Sequence, residues 1–471
     1  MADDKKKQKA PKTPSGKAKM LMPSATAVID NIVFSKTETW AYYRLTTSVY
    51  DFLSTDGKVA SAYQIANAFT NLMSDKKDNL DVHLIVTSVP VDVDAWAVQI
   101  TQTAQNWNKS PGFDRYLQEQ IDMLKSEEYL KKVVMLGVNL GKRGALEFDF
   151  VNPLEMGFKS AGEQLKQWWN NALQVPGYEI SPEEEDVMRR KEAEIFRTLT
   201  NGNLRAQRLT SEDILLTIKR QMYPSMPAPY LEVDHENRLG AGDMNIELVH
   251  AVENKYRWLK FSQIVEGEEL VGYRACLSFS KFPRYSEYPN GSFPFLYFPA
   301  KLALPFTMYA RLTLIPSEGM KKRIEKKRKD LIDEQDNISA SGQTAGSAGI
   351  VSGGGPAEAN EALGDIQMMS SMLANDKTPW VQGSYRIVVE TPDEDTLRKY
   401  CSIVKQRYSD LDINVTWTSG DQAELFLEQM PGDHLRMKSF NQITTLSFLA
   451  TSGFRNSSDV GDVIFGSGEG V

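Results

Sequence analysis

Two stretches, WAYYRLTTSVY at Trp40–Tyr50 and DVHLIVTSV at Asp81–Val89, decide the fold of this chain. Both are rich in aromatic and β-branched residues, which is typical of β-strands. Between them, Lys58–Met73 carries apolar residues three or four positions apart, and this spacing predicts an amphipathic helix. The second stretch is apolar on both faces, so we expect its strand to be buried. The ordered chain therefore opens with a strand–helix–strand unit.

The same order of elements recurs near the other end of the chain. Tyr385–Thr391 and Asp412–Thr418 have strand patterns, and a helix is predicted between them, starting after Pro392. A short helix at Gln422–Gln429 follows. The expected fold class is α/β of the α+β type, with strand–helix–strand units in ferredoxin-like or mixed sheets. The two units share their order of elements but no sequence repeat.

Composition divides the chain into segments. Three prolines in YPSMPAPY at 223–230 must end a helix, and the run SASGQTAGSAGIVSGGGP is a flexible linker. The predicted segments are a disordered basic tail (1–25), an N-terminal α/β domain (26–222), a linker (223–244), a β-rich segment (245–316), a protruding charged helical hairpin (317–375) with a Gly/Ser-rich tip (339–356), a C-terminal βαβ unit (376–433) and a lead-in segment (434–471).

Charge and cysteine content exclude several classes of protein. The formal net charge of −8 and the pI of about 5.4 argue against a dedicated nucleic-acid binder, although they leave room for a local basic patch. Met320–Asp336 is such a basic stretch, but acidic residues interleave with the basic ones, so a solvated helix face is expected. Cys276 and Cys401 form no CxxC pair, which excludes a zinc knuckle and favours a reducing compartment.

No targeting or membrane-spanning segment is found in the sequence. No apolar run approaches the roughly 18 residues that cross a bilayer. The N-terminal tail is rich in lysine and lacks the apolar centre of a signal peptide. Its lysines could contact anionic lipid, or could simply be solvated. We expect a cytoplasmic protein, peripheral to the inner face of the cell membrane.

The sequence contains no complete nucleotide-binding or catalytic motif. Gly137–Arg143 (GVNLGKR) is one residue too short for GxxxxGK[ST] and has arginine where a hydroxyl would bind magnesium, so we interpret it as a strand-ending turn. Gly466–Gly470 (GSGEG) is interpreted as a turn between strands. Glu183–Asp186 is expected at a helix N-terminus, and His434 in a loop. No catalytic, cofactor-binding or metal-binding residue is assigned.

The stretch Phe282–Phe306 is dense in proline, phenylalanine and tyrosine. Its prolines exclude a central strand. Two interpretations stay open: an irregular cap on a core, or a surface that binds a partner. The candidate partner-binding residues are Phe282, Tyr285, Tyr288, Phe293, Phe295, Tyr297 and Phe298.

The C-terminal stretch that begins LFLEQMPGDHLRMKSF at Leu425 resembles a known family. It is similar to the segment that enters the motor domain of conjugation and type IV secretion ATPases, the VirB/TrbE/CagE class in its Gram-positive branch. The matching positions are Pro431, Gly432 and Asp433 for a Pro-Gly-Asp-like turn, Thr444, Thr445 and 449–453 for the segment after it, Gly461 and Asp462 for the lead-in to the motor, and, more loosely, 40–44, 131–140 and 213–221.

The resemblance implies the non-catalytic N-terminal domain of such an ATPase. In that family the domain docks the motor to inner-membrane subunits and helps it to oligomerise, while the motor hydrolyses ATP to drive transfer of DNA or protein. The chain ends where the motor would begin, so ATP and magnesium are expected only for a separate or missing motor domain. The expected partners are inner-membrane subunits of the channel, the motor domain and further copies of the chain, without sequence-specific nucleic-acid binding.

Two alternatives belong to other functional classes. One is a stand-alone structural adaptor of a secretion or conjugation machine, which never had a motor in its own chain. The other is an enzyme whose site has no recognised motif. The first is distinguished by the DNA that encodes the chain, and the second by turnover of the isolated protein.

Overall fold

The computed structural model describes the chain between residues 24 and 457, with gaps. The described residues are 24–50, 53–73, 78–90, 97, 101, 112–126, 130–143, 180–202, 204–226, 238–239, 251–265, 268–283, 294–297, 306–344, 364, 366–371, 373 and 378–457. Residues 1–23 of the predicted basic tail, most of the Gly/Ser-rich tip and the GSGEG stretch lie outside these residues.

The described strands coincide with most of the predicted ones. They are β1 (Ala25–Ile29), β2 (Ile32–Ser35), β3 (Glu38–Leu45), β4 (Ser48–Val49), β5 (Leu80–Pro90), β6 (Leu130–Lys142), β7 (Ala206–Arg208), β8 (Arg238–Leu239), β9 (Ala251–Asn254), β10 (Leu259–Val265), β11 (Glu268–Lys281), β12 (Phe306–Ile315), β13 (Trp380–Thr391), β14 (Asn414–Trp417), β15 (Gln442–Thr445) and β16 (Asn456–Ser457).

Helices of very different length connect these strands. They are α1 (Thr55–Met73), α2 (Phe113–Ser126), α3 (Pro182–Asn201), α4 (Ser211–Met222), α5 (Ser317–Thr344), α6 (Glu394–Ser409), α7 (Gln422–Gln429) and α8 (Leu446–Thr451). Within the described part of the chain, none of them is long and apolar enough to span a bilayer.

Fourteen strands form one sheet in the order β8-β1-β2-β3-β6-β5-β12-β13-β11-β10-β9, with β7 beside β3, β14 beside β11 and β15 beside β13. The α+β class predicted from the sequence is confirmed. Every pairing in this sheet is antiparallel, so it is not mixed; the parallel pair β16–β4 forms a separate small sheet. Pairing of β5 with β12 makes strands from several predicted segments one continuous layer.

Both predicted strand–helix–strand units are present, and each holds a third strand between its two strands. In the first unit β3 and β5 each pair with β6, and in the second β13 and β14 each pair with β11. Helices α1 and α6 supply the two crossovers. Strands β3 and β5 therefore run parallel without touching, which is the split arrangement found in ferredoxin-like folds.

Each face of the sheet carries its own apolar core. Helices α1, α3, α6 and α8 cover the first face, and α4 and α7 cover the second. Side chains of a strand alternate between the faces, so Ile387 of β13 packs in the first core and Val388 in the second. Burying an apolar side chain of this size contributes roughly 1.5–3 kcal/mol. The alternation seen in β13 therefore marks two buried faces, without a solvated side.

The predicted charged hairpin is present as two helical arms. The first arm is α5, and residues 366–371 form a helical part of the second. Met320 and Ile324 of the first arm share a small core with Ile366, Leu373 and Trp380. This core fixes the base of the hairpin against the end of β13.

Candidate functional site

The aromatic residues predicted to bind a partner are only partly described. Phe295 and Tyr297 are buried, which favours the cap on a core over the partner-binding surface for these two residues. Phe295 packs against Phe282, which is half-buried, with ring centroids 4.8 Å apart, and its carbonyl accepts a 2.6 Å hydrogen bond from Tyr408. These residues cap the core, because other aromatic rings surround them on the sheet. Tyr285, Tyr288, Phe293 and Phe298 lie outside the described residues.

The stretch GVNLGKR belongs to a strand and its end. Gly137 to Lys142 lie within β6, and Arg143 forms a buried ion pair with Glu184 at 3.1 Å. The acidic run that contains Glu184 is the first turn of α3, where the Ser181 side chain caps the helix as its Ser-Pro sequence predicts. The interpretation as a strand end is therefore confirmed.

Gly137 leaves space for a polar row across the second face. In register, Tyr42 of β3 lies opposite Gly137, Gly137 opposite His83 of β5, and His83 opposite Arg311 of β12. A Cβ atom at Gly137 would approach the Tyr42 ring to 2.6 Å. Because glycine lacks that atom, the Tyr42 hydroxyl reaches over β6 to within 3.0 Å of His83 Nδ1. The row is buried throughout.

One segment of the chain lies across this polar row: residues 421–439, which we call the anchor segment. It begins with α7 and contains the Pro431-Gly432-Asp433 turn. Asp433 N donates to Met430 O at 3.1 Å, and Gly432 has a φ of 80°. Proline followed by a glycine with positive φ is the pattern of a type II turn. The turn singled out by its sequence is therefore real, and it is buried inside the molecule.

Arg311 holds the end of α7. Its Nε donates to the Glu428 carbonyl at 2.8 Å, and an Nη donates to the Met430 carbonyl at 2.9 Å. These carbonyls belong to the last turn of the helix, where no intrahelical partner remains and the helix dipole favours a cation. The fully buried guanidinium thereby satisfies the C-terminal end of α7.

Arg386 of β13 forms the centre of the site with Glu428 of α7. Both side chains are fully buried, and Arg386 Nε lies 3.6 Å from Glu428 Oε1. The other carboxylate oxygen accepts from the backbone N–H groups of Arg436 and Met437 at 3.0 and 2.8 Å. Arg386 also donates to the Met437 carbonyl at 3.1 Å. This ion pair therefore ties both halves of the anchor segment to the middle of the sheet.

Further contacts fix the beginning and the end of the anchor segment. The Gln422 side chain pairs with the backbone of Cys276 in β11, accepting at 2.8 Å and donating at 3.0 Å. At the turn, Gly432 N donates to the Tyr42 hydroxyl at 2.9 Å. The buried Asp433 carboxylate accepts from Ser24 at 2.7 Å and from Arg436 at 2.9 Å. The segment thus contacts strands from both ends of the chain.

The Tyr42–His83 contact is uncharged. Burial raises the pKa of Tyr42 to about 12, and burial together with the nearby Arg311 cation holds the pKa of His83 well below its usual range. The Tyr42 oxygen accepts from Gly432 N, and the Tyr42 hydroxyl and the neutral imidazole of His83 share a second hydrogen bond. We call the buried polar contacts between the sheet and the anchor segment the clamp. The polar groups of the clamp hold the backbone of the anchor segment in place.

Stability is expected to fall in mild acid because of His83. Below about pH 6.5, the usual histidine pKa, the unfolded chain takes up a proton that the folded protein excludes. The free energy of unfolding should be flat above that pH and fall with a slope approaching about 1.4 kcal/mol per pH unit below it. Urea unfolding between about pH 8 and about pH 5 measures this effect.

The control for this prediction is His83→Gln, which cannot take up the proton. Subtracting its pH curve isolates His83, because Glu38 and Glu390, whose pKa values burial raises, are present in both proteins. Those carboxyl groups favour the folded state as the pH falls, opposite in sign to His83. Parallel curves for the two proteins would contradict the assignment.

Sequence reasoning missed most of the clamp. Arg386 stands in the predicted strand Tyr385–Thr391, and Arg311 stands in FTMYARLTLI, within the segment 245–316 that was predicted to be β-rich. A charged residue inside a strand that is buried on both faces needs charged or hydrogen-bonding partners inside the protein. The two arginines in strand sequences were therefore the available sequence signal for the clamp. His434, by contrast, is half-exposed beside Asp433 at 3.3 Å. Among the described residues, no cluster of histidine, cysteine or acidic side chains could hold a metal ion.

No protein-family model matches the chain, and no curated protein matches it. A functional assignment therefore depends on the geometry of the clamp and on the residues that carry the family resemblance.

Proposed function

We propose that this chain is the docking and assembly module of a conjugative-transfer, or type IV secretion, ATPase. It couples the motor to the inner-membrane channel complex and helps the motor to oligomerise. The observation that supports this function is that hydrogen bonds hold the anchor segment, which carries the turn of the family resemblance, against the opposite end of the chain. The Pro431-Gly432-Asp433 turn contacts Tyr42 and Ser24. A force that acts on the anchor segment is therefore transmitted to the first strands.

The fastening continues beyond the anchor segment. Arg455 Nε donates to the Thr46 carbonyl at 3.0 Å, and the Arg455 carbonyl accepts from Ser48 N at 2.9 Å. Strand β16 then pairs with β4, and α8 packs on α1. A segment held at both ends by buried polar contacts transmits displacement as a rigid element, because close-packed interiors deform little. This rigidity suits a module that couples a motor to a fixed complex.

The partners in this proposal are the motor domain, inner-membrane subunits of the channel and further copies of the chain. The module lies in the cytoplasm against the inner face of the membrane. ATP and magnesium belong to the motor, and whether the machine transfers DNA or protein follows from the partners it recruits.

Binding of the motor tests the proposal. The chain is titrated with the polypeptide carrying GxxxxGK[ST] that is encoded beside it, and the mass in solution is followed by light scattering. We expect a stoichiometric complex. Arg436→Gln should weaken it about tenfold, or about 1.4 kcal/mol, because it releases Asp433 and loosens the anchor segment.

The matched control is Arg398→Gln, which removes an arginine from an exposed ion pair on α6 and should leave the complex unchanged. Absence of any such polypeptide in the encoding DNA, with self-association of the chain, would favour the stand-alone adaptor. Saturable ATP hydrolysis by the chain alone that survives Lys142→Ala would mean that the chain is an enzyme, and would overturn the proposal.

A further inference from the structure

The first arm of the charged hairpin carries a dense basic patch. Residues 321–329 of α5 have the sequence KKRIEKKRK, with seven basic side chains and one acidic side chain, in a chain whose formal net charge is −8. All seven basic residues are exposed, while Ile324 is buried in the core at the base of the hairpin. We call Lys321–Lys329 the basic arm. The patch is a local reversal of the overall charge of the protein.

Ion pairs within the described part of the protein neutralise little of this positive charge. Arg323 donates to the Gln382 side chain at 2.7 Å. The other six cations form no ion pair with any residue that the structure describes. The helix itself is fixed, because Met320 and Ile324 pack against Ile315 and Trp380. The basic arm thus presents free cations on a rigid support, which is the condition for binding a polyanion.

The directions of the cations favour a groove over a flat surface. Successive residues of an α-helix point about 100° apart, so Lys326, Lys327, Arg328 and Lys329 are spread around most of the helix circumference. A membrane surface meets one side of a helix, and an interfacial helix also needs an exposed apolar face. Of the large apolar side chains described on α5, Ile332 alone is exposed. Phosphates on both sides of a groove match this distribution better.

We propose that the basic arm binds double-stranded DNA through its phosphates, without sequence preference. The major groove of B-form DNA is about 12 Å wide and admits an α-helix, whose diameter with side chains is about 10–12 Å. The major groove of an RNA duplex is too narrow for this contact. Lysine acts as a point charge toward phosphate, so the binding reads shape and charge. Apart from the lysine-rich N-terminal tail, the rest of the chain is acidic on balance, which favours contact at the hairpin. This activity lies beyond the docking function.

The test uses the full chain and a labelled DNA duplex longer than one helical turn. The variant Lys322→Gln/Lys326→Gln/Lys329→Gln removes three exposed charges from the basic arm. In fluorescence anisotropy at low salt we expect its affinity to fall at least about tenfold. The dependence of log K on log salt should become shallower by about 0.9 for each lost phosphate contact.

The matched control, Lys36→Gln/Lys399→Gln/Lys405→Gln, removes the same number of exposed charges elsewhere and should retain most of the affinity. Circular dichroism and thermal unfolding establish that both variants fold. Equal loss in the two variants, or no loss in the first, would overturn the proposal. Binding to vesicles of phosphatidylserine and phosphatidylcholine without binding to DNA would also overturn it, and would identify the basic arm as a membrane contact.

Discussion

Replacing Glu428 with glutamine is expected to lower the free energy of unfolding by about 3–5 kcal/mol. The substitution leaves the fully buried Arg386 cation without its carboxylate, 3.6 Å away. Desolvation makes an uncompensated buried charge far more costly than the pair. The amide can replace only part of the contact to the backbone N–H groups of Arg436 and Met437. Urea unfolding at neutral pH measures the loss.

Two controls make this expectation specific to the buried pair. Glu394→Gln breaks an exposed i,i+4 pair with Arg398 and should cost no more than about 0.5 kcal/mol. The double variant Arg386→Met/Glu428→Leu removes both buried charges and should recover much of the stability lost in the single variant. A cost for Glu428→Gln as small as that of Glu394→Gln would show that water reaches the pair.

Gly432→Ala is expected to destabilise the protein by about 2–5 kcal/mol. The φ of 80° costs an L-residue about 1–2 kcal/mol, and overpacking of a buried site typically adds about 1–3 kcal/mol. The added Cβ would lie 2.7 Å from Val33 Cγ1, so the turn must move away from β2. That movement stretches the hydrogen bond to Tyr42. Thermal and urea unfolding both report the change.

Gly420→Ala is the matched control for the turn. Gly420 has a similar φ of 89°, but a Cβ there would meet no atom within 4 Å. This variant therefore carries the backbone strain alone, about 1–2 kcal/mol. The difference between the two variants measures how tightly the anchor segment is pressed against the first strands. Equal costs would mean that the turn has room to shift.

Local sequence patterns predicted the elements well because their causes are local. The box in which Thr210 and Asp213 cap α4 lies within four consecutive residues, so its cause is contained in the local sequence TSED. The strands Trp40–Tyr50 and Asp81–Val89 followed from composition. The position of β6 between them could not be predicted, because strand order depends on contacts between distant residues. The pairing of β5 with β12 could not be predicted from the sequence for the same reason.

The candidate site was found in part. The family resemblance drew attention to Pro431, Gly432 and Asp433, but the identity of these three residues does not show that they are buried. For Phe295 and Tyr297 the sequence left a cap and a binding surface open, because aromatic residues between prolines fit both, and the structure buries the two residues. Burial is decided by what covers a segment, and the covering elements are far away in sequence.

The distance along the chain between the partners of two hydrogen bonds has a consequence for folding. Ser24 and Asp433 are 409 residues apart, as are Thr46 and Arg455. Closing so long a loop is slow, and proteins dominated by such contacts fold late and expose their surfaces meanwhile. During synthesis the first strands must therefore wait, with the buried face of the sheet still open to water, until Asp433 and Arg455 have left the ribosome. The segment that contains these two residues is the one that closes the fold.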